Sequence, residues 1–231
     1  MAWLGIYQNT EVIIFFLSIK FFLSNFSVYL FSSVSENRHW RKRQNVNCHF
    51  TSKFSKKMII KGEIINQTFS GTYEERIYDN ESAWNSQNWT TVKFTNDDLY
   101  EWCGIFRGAP KEVKISEKLN AILVLTSDYL YQLEIHSGKL TELEDQPAYN
   151  KMTVAPNGEF ILGYYYYIDK IDKTIKEKTR IESPIEMDMI EFKNWNGNKL
   201  NFICDEFMNW KKHLEMELDS ENWKINIKNG S

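Results

Sequence analysis

Glu112–Lys139 reads EVKISEKLNAILVLTSDYLYQLEIHSGK, and the spacing of its apolar residues decides the class of the protein. Glu112–Ile115, Ala121–Thr126 (AILVLT) and Tyr129–Ile135 (YLYQLEI) are short runs rich in β-branched, leucine and aromatic residues. They are divided by Ser116–Asn120 and by Ser127-Asp128, and closed by His136-Ser137-Gly138-Lys139. Runs this short, broken by polar turn residues, are too brief for amphipathic helices and read as strand, turn, strand, turn, strand.

The same phrase returns about 40 residues later, a spacing typical of repeated β units. Met152–Ala155 is followed by Pro156-Asn157-Gly158-Glu159, then Phe160–Tyr167 (FILGYYYY), then Ile168–Lys170. A third echo begins at Ile190-Glu191-Phe192, with Asn196-Gly197-Asn198-Lys199 as its turn. Leu200–Cys204, His213–Leu218 and Trp223–Ile227 follow as strands. The Asn-Gly pairs suit two-residue hairpin turns, because type I′ needs positive φ at both centres. Upstream, Ile59–Ile65, Thr68–Ile77 (with a turn or bulge at Gly71), Trp89–Phe94 and Leu99–Phe106 read as further strands. Gly108-Ala109-Pro110 breaks the last of these.

Ile115-Ser116 through Lys139, and Val154-Ala155 through Lys170, follow one pattern. An apolar pair leads into a turn, an apolar run and a Gly-Lys or Lys close. This pattern resembles single blades of bacterial β-propellers, whose repeats run about 40–45 residues. The resemblance covers residues 110–175 and lacks the Gly-His and Trp-Asp marks of the WD40 class. It implies hairpins that present loops to partners. The expected fold is mainly β: an antiparallel meander forming a partial propeller-like sheet or a β-sandwich, preceded by one apolar helix. Closed propellers take four to eight blades; the chain after Met58 has room for about four at most, of which only two are legible, so a complete propeller is not expected.

Residues 1–57 differ in character. Val12–Leu30 reads VIIFFLSIKFFLSNFSVYL, and the apolar run continues to Val34. About 20 apolar residues span a bilayer as a helix, so residues 12–34 are a candidate transmembrane segment. Lys20 in its middle costs about 2.5–3.5 kcal/mol on insertion scales, which the Phe and Ile residues outweigh. Arg38, Arg41, Lys42 and Arg43 follow, with no basic residue in positions 1–10. The positive-inside rule then places the domain 58–231 in the cytoplasm of a single-pass protein, and the basic cluster beside anionic lipid. The alternative is translation from Met58, which yields a cytoplasmic protein. Residues 45–57 show no helical or strand period, whereas the pattern after Met58 is regular at once.

The chain of 231 residues is 42% hydrophobic and 26% charged, with a formal net charge of −3. That balance gives no whole-chain attraction to nucleic acid. Aromatic residues make up 15%, with eight Trp, and most are expected in the core. Cys48, Cys103 and Cys204 form no CxxC pair, and no two of His39, His49, His136 and His213 are spaced i, i+4. No metal site or cofactor site is therefore expected, and the thiols read as reduced. Nucleophile elbow, Walker, dinucleotide and zincin motifs are lacking, so no catalytic residue is nominated. The acidic pairs Glu74-Glu75, Asp97-Asp98, Glu142/Glu144/Asp145 and Asp205-Glu206 read as solvated turn charges, and Asn209–His213 as a basic loop. Tyr164–Tyr167 and the Trp residues could stack on sugars or bases, though strand alternation would place half of them in the core. The expected function is a bacterial, non-enzymatic protein-binding or immunity-like accessory role. The competing reading is an enzyme, hydrolytic in type, with its site dispersed over loops.

Overall fold

A computed structural model describes residues 57–66, 71–80 and 83–228, which belong to one unit, Lys53–Ser231. Candidate span 12–34, the basic cluster Arg38–Arg43 and Cys48 lie outside the described residues. Among the described residues there is no helix long and apolar enough to cross a membrane.

Among the described residues, sixteen strands build four four-stranded sheets, formed one after another along the chain. Sheet I contains β1 (Ile59–Ile65), β2 (Glu74–Tyr78), β3 (Trp89–Asn96) and β4 (Glu101–Arg107), in the order β1-β3-β4-β2. Sheet II contains β5 (Pro110–Ser116), β6 (Ala121–Thr126), β7 (Tyr129–Glu134) and β8 (Leu140–Asp145). Sheet III contains β9 (Lys151–Val154), β10 (Phe160–Gly163), β11 (Ile168–Ile171) and β12 (Lys178–Ile181). Sheet IV contains β13 (Met187–Asn196), β14 (Lys199–Glu206), β15 (Asn209–Asp219) and β16 (Lys224–Ile227). Sheets II, III and IV are antiparallel meanders, and only β2 runs parallel to its neighbour, β4. The protein is mainly β.

The continuous apolar run of β6 follows from burial on both faces of sheet II. Successive side chains on a strand point to opposite faces. Ile122 and Val124 join Val92, Phe94, Trp102 and Phe106 of sheet I. Ala121, Leu123 and Leu125 join Met152, Phe160 and Leu162 of sheet III. Sheet III is likewise covered on both faces, since Ile161 and Ile168 meet Leu200, Phe202, Cys204, Met216 and Leu218 of sheet IV. Each such side chain contributes about 1.5–3 kcal/mol by leaving water. Sheet IV alternates instead: Leu214, Met216 and Leu218 point inward, while His213, Glu215 and Glu217 stay on the other face. Three apolar clusters thus join I to II, II to III and III to IV. None joins IV back to I among the described residues. The first strands adjoin as well, β1 beside β5 and β5 beside β9.

Several elements differ from the sequence reading. Phe160–Tyr167 is not one strand: β10 stops at Gly163, and Tyr164–Tyr167 forms the turn into β11, closed by Tyr164 N–H donating to the Tyr167 carbonyl at 2.9 Å. Asn209–His213 is not a loop but the start of β15, the turn being Phe207-Met208. β8 (LTELED) and β12 (KTRI) were not anticipated, because outer strands facing solvent lack an apolar period. Most of the acidic pairs therefore ride on strands, with Asp97-Asp98 alone in a turn. The Asn157-Gly158 turn is also of a different type. Gly158 N–H donates to Ala155 O at 2.8 Å, and only Gly158 has positive φ, at 87°. Pro156 holds φ near −65°, which favours a type I turn followed by a left-handed glycine over type I′.

Cys103 and Cys204 are buried free thiols. Burial pushes the Cys204 thiol up to about 11, and burial followed by the Glu75 carboxylate raises Cys103. Thiolate is the reactive form. Iodoacetamide at pH 8 is therefore expected to leave both unmodified in the native protein and to label both after unfolding, as read by peptide mass spectrometry. Rapid native labelling of either would contradict this packing.

Candidate binding groove

In a meander, alternate turns lie at opposite ends of the sheet, and the two ends of sheets III and IV have different chemistry. One end carries the turns β9–β10, β11–β12, β13–β14 and β15–β16. It is stitched by polar contacts: Asn157 Nδ2 donates to Ser220 O at 3.1 Å, and Asn198 Nδ2 to Glu221 Oε1 at 2.5 Å. Lys118 of sheet II reaches Glu159 at 3.0 Å on the same side.

The other end carries Tyr164–Tyr167, Phe207-Met208 and a bulge in β13 at Met189, which has φ 52°. Exposed apolar side chains gather there. Met208 is 77% and Met189 56% exposed, and Tyr165, Tyr166 and Phe207 are also open to solvent. Backbone bonds fix these segments together. Ile190 N–H donates to Tyr165 O at 3.3 Å, and Phe207 N–H to Glu186 O at 2.9 Å. The rings pack edge to face, Tyr164 on Tyr166 at 5.5 Å and Tyr166 on Phe207 at 6.0 Å between centroids. Aromatic pairs in this geometry add about 0.5–1.5 kcal/mol beyond area burial. The exposed rings are thereby held in fixed orientations.

Beside them lies a groove of about 800 Å³, whose walls include Tyr166, Tyr167, Arg180, Ile185, Met187 and Phe207. Arg180 is the cation in this wall. Its Nε donates to Asp169 Oδ1 at 2.9 Å, and its guanidinium lies 3.4 Å from the Tyr167 ring centroid. Asp169 is buried on β11 and also accepts from Tyr149 Oη at 2.7 Å. Burial, followed by the hydrogen bond to Asp169, pushes the Tyr149 phenol far above its ordinary range, so it stays a donor. The hydrogen bond to Asp169 raises Arg180 in turn. Glu182 and Glu186 complete the charged lining. A second groove of about 610 Å³ shares Arg180–Ser183 as a wall and continues past Lys170 and Trp223.

Of the residues singled out in the sequence, Tyr166 and Tyr167 line this groove and Tyr165 is exposed beside it, on a turn instead of a strand, while Tyr164 packs against the core. Arg180, Asp169 and Phe207 had no sequence signal, since nothing local marks a lone arginine or a turn phenylalanine. His213 Nδ1 lies 2.5 Å from Asp205 Oδ1 as an exposed pair. No group of three or more metal-ligating side chains occurs among the described residues. No protein-family model matches the chain, and no curated protein matches it in sequence.

Proposed function

We propose that the protein is a non-enzymatic, immunity-like accessory protein that binds another protein through the Tyr165, Tyr166, Met189, Phe207 and Met208 rim. Its sheets act as blades of an open, propeller-like stack. The face-to-face succession of four-stranded sheets and the adjoining first strands support the blade reading. The charged outer face of sheet IV suits a stack that ends in water.

The observation that carries the binding reading is the concentration of exposed aromatic and methionine side chains on one rim. Contiguous exposed apolar patches mark interaction sites, and Tyr, Phe and Met are enriched in interface cores. Rigid rings lose little conformational entropy when they bind, which favours them as anchors.

A photo-crosslinking amino acid at position 208 tests this in the host cell. It is expected to give a discrete higher-mass adduct with one protein, whereas the same group at Asn198, in the turn at the opposite end of sheet IV, gives none. Equal adduct patterns from both positions would overturn the proposal.

A further inference from the structure

We infer that the groove beside the rim is a carboxylate-reading site. Arg180 pairs there with an Asp or Glu side chain of an extended partner segment, whose neighbouring apolar side chain lies against Tyr166 and Phe207. This rests on the protein-binding reading and names the chemistry of the segment bound.

Arg180 is built as a recognition residue. One edge of its guanidinium is fixed by Asp169, its face rests on Tyr167, and Asp169 is itself fixed by Tyr149. The Arg180 side chain nonetheless remains 56% exposed and lines the groove, whereas that of Asp169 is 7% exposed. An arginine held by a buried carboxylate and an aromatic face presents its remaining N–H donors in a set geometry, and guanidinium forks match carboxylates in two parallel bonds. Such an outer shell of support is what holds a binding group to the precision recognition needs.

The surrounding charges narrow the ligand further. Glu182 and Glu186 line the same groove and repel any negative charge that is not seated directly on the Arg180 fork, so a polyanion such as nucleic acid is disfavoured more than a segment with one carboxylate next to an apolar group. The depression runs on past Ile181–Ser183 toward Trp223, so a segment can pass through instead of ending at Arg180. This favours a side-chain carboxylate over a chain terminus.

The test is selection of a displayed library of random linear peptides on the full chain. Enrichment of Asp or Glu within three positions of an aromatic or aliphatic residue, away from the peptide terminus, is expected. The selected peptide is then expected to bind about tenfold more weakly to Arg180→Lys, which keeps the charge but loses the fork. A thermal melt confirms that this variant is folded, and Tyr166→Ala provides a second variant that leaves the Asp169 pair intact and is also expected to weaken binding. Enrichment without acidic residues, enrichment of C-terminal carboxylates alone, or unchanged affinity in the folded Arg180→Lys protein overturns the inference. A specific adduct from position 208 combined with any of these results would leave the protein-binding role standing and remove only the carboxylate reading.

Discussion

Trp102→Ala is expected to destabilise the protein by about 3–5 kcal/mol, the range for emptying a large aromatic site. Trp102 is 1% exposed and sits where sheets I and II meet. Its ring lies 4.6 Å from that of Phe94, and the Arg76 guanidinium stacks on it at 4.1 Å. Its Nε1–H donates to Asn96 Oδ1 at 3.3 Å, and Asn96 is itself buried. The substitution opens a cavity and leaves that buried acceptor without its donor, and the two costs add. The turn of sheet II closes directly over the indole: a Cβ on Gly138 would stand 2.7 Å from Trp102 Cη2. Ile77→Ala, 69% exposed on the same sheet, provides the control and is expected to stay within about 0.5 kcal/mol of the parent. Urea unfolding followed by circular dichroism reads both. Equal midpoints for the two variants would show that the I–II interface is not packed as described.

Gly108→Ala is expected to cost about 2–5 kcal/mol, a large effect for one methyl group. Gly108 links sheet I to sheet II with φ 104°, a conformation that L residues rarely adopt. Left-handed strain costs about 1–2 kcal/mol for a residue with a Cβ. The new methyl would also stand 2.6 Å from Thr126 Oγ1 and 2.8 Å from the Asp128 backbone nitrogen. Neither atom can yield easily. Thr126 Oγ1 donates to Arg107 O at 2.8 Å and accepts from Tyr129 N–H at 3.0 Å, which ties both sheets at this corner. Overpacking a filled site of this kind adds about 1–3 kcal/mol. The same denaturation experiment reads the loss. A change under about 1 kcal/mol would mean that the corner relaxes freely and that Gly108 is not required there.

Legibility in the sequence followed burial. β6 and β7 were readable because sheet II is covered on both faces, so that AILVLT and YLYQL are nearly all apolar. β8 and β12 were not, because a sheet's outermost strand contacts solvent along its edge and can carry charge at most positions. FILGYYYY misled for a physical reason. Tyrosine is a strand former, and no Gly, Pro, Asn or Asp lies within the reversal itself, although Gly163 ends β10 just before it. The turn is held instead by rings packing on one another and on Phe207, which only tertiary structure brings within reach. The groove was illegible for the same reason, since Tyr167, Asp169, Arg180 and Phe207 come from two turns and two strands belonging to two sheets.

The parallel strand β2 bears on how the chain is made. Its sole neighbour in sheet I is β4, which follows roughly 30 residues later in the sequence. At 5–20 residues per second, β2 leaves the ribosome about 1.5–6 s before β4 is complete. During that interval EERIY lacks its native partner strand, while other nascent chains on the same message carry identical unpaired copies. Glu74 and Glu75 set like charges against any such copy and so discourage strand exchange between neighbours on a polysome. On this topology β2, the second strand made, is expected to dock last in sheet I, once β4 is available. A pause in translation while β2 is outside the ribosome and β4 still within it would lengthen the period of exposure, whereas a pause after β4 has emerged would not.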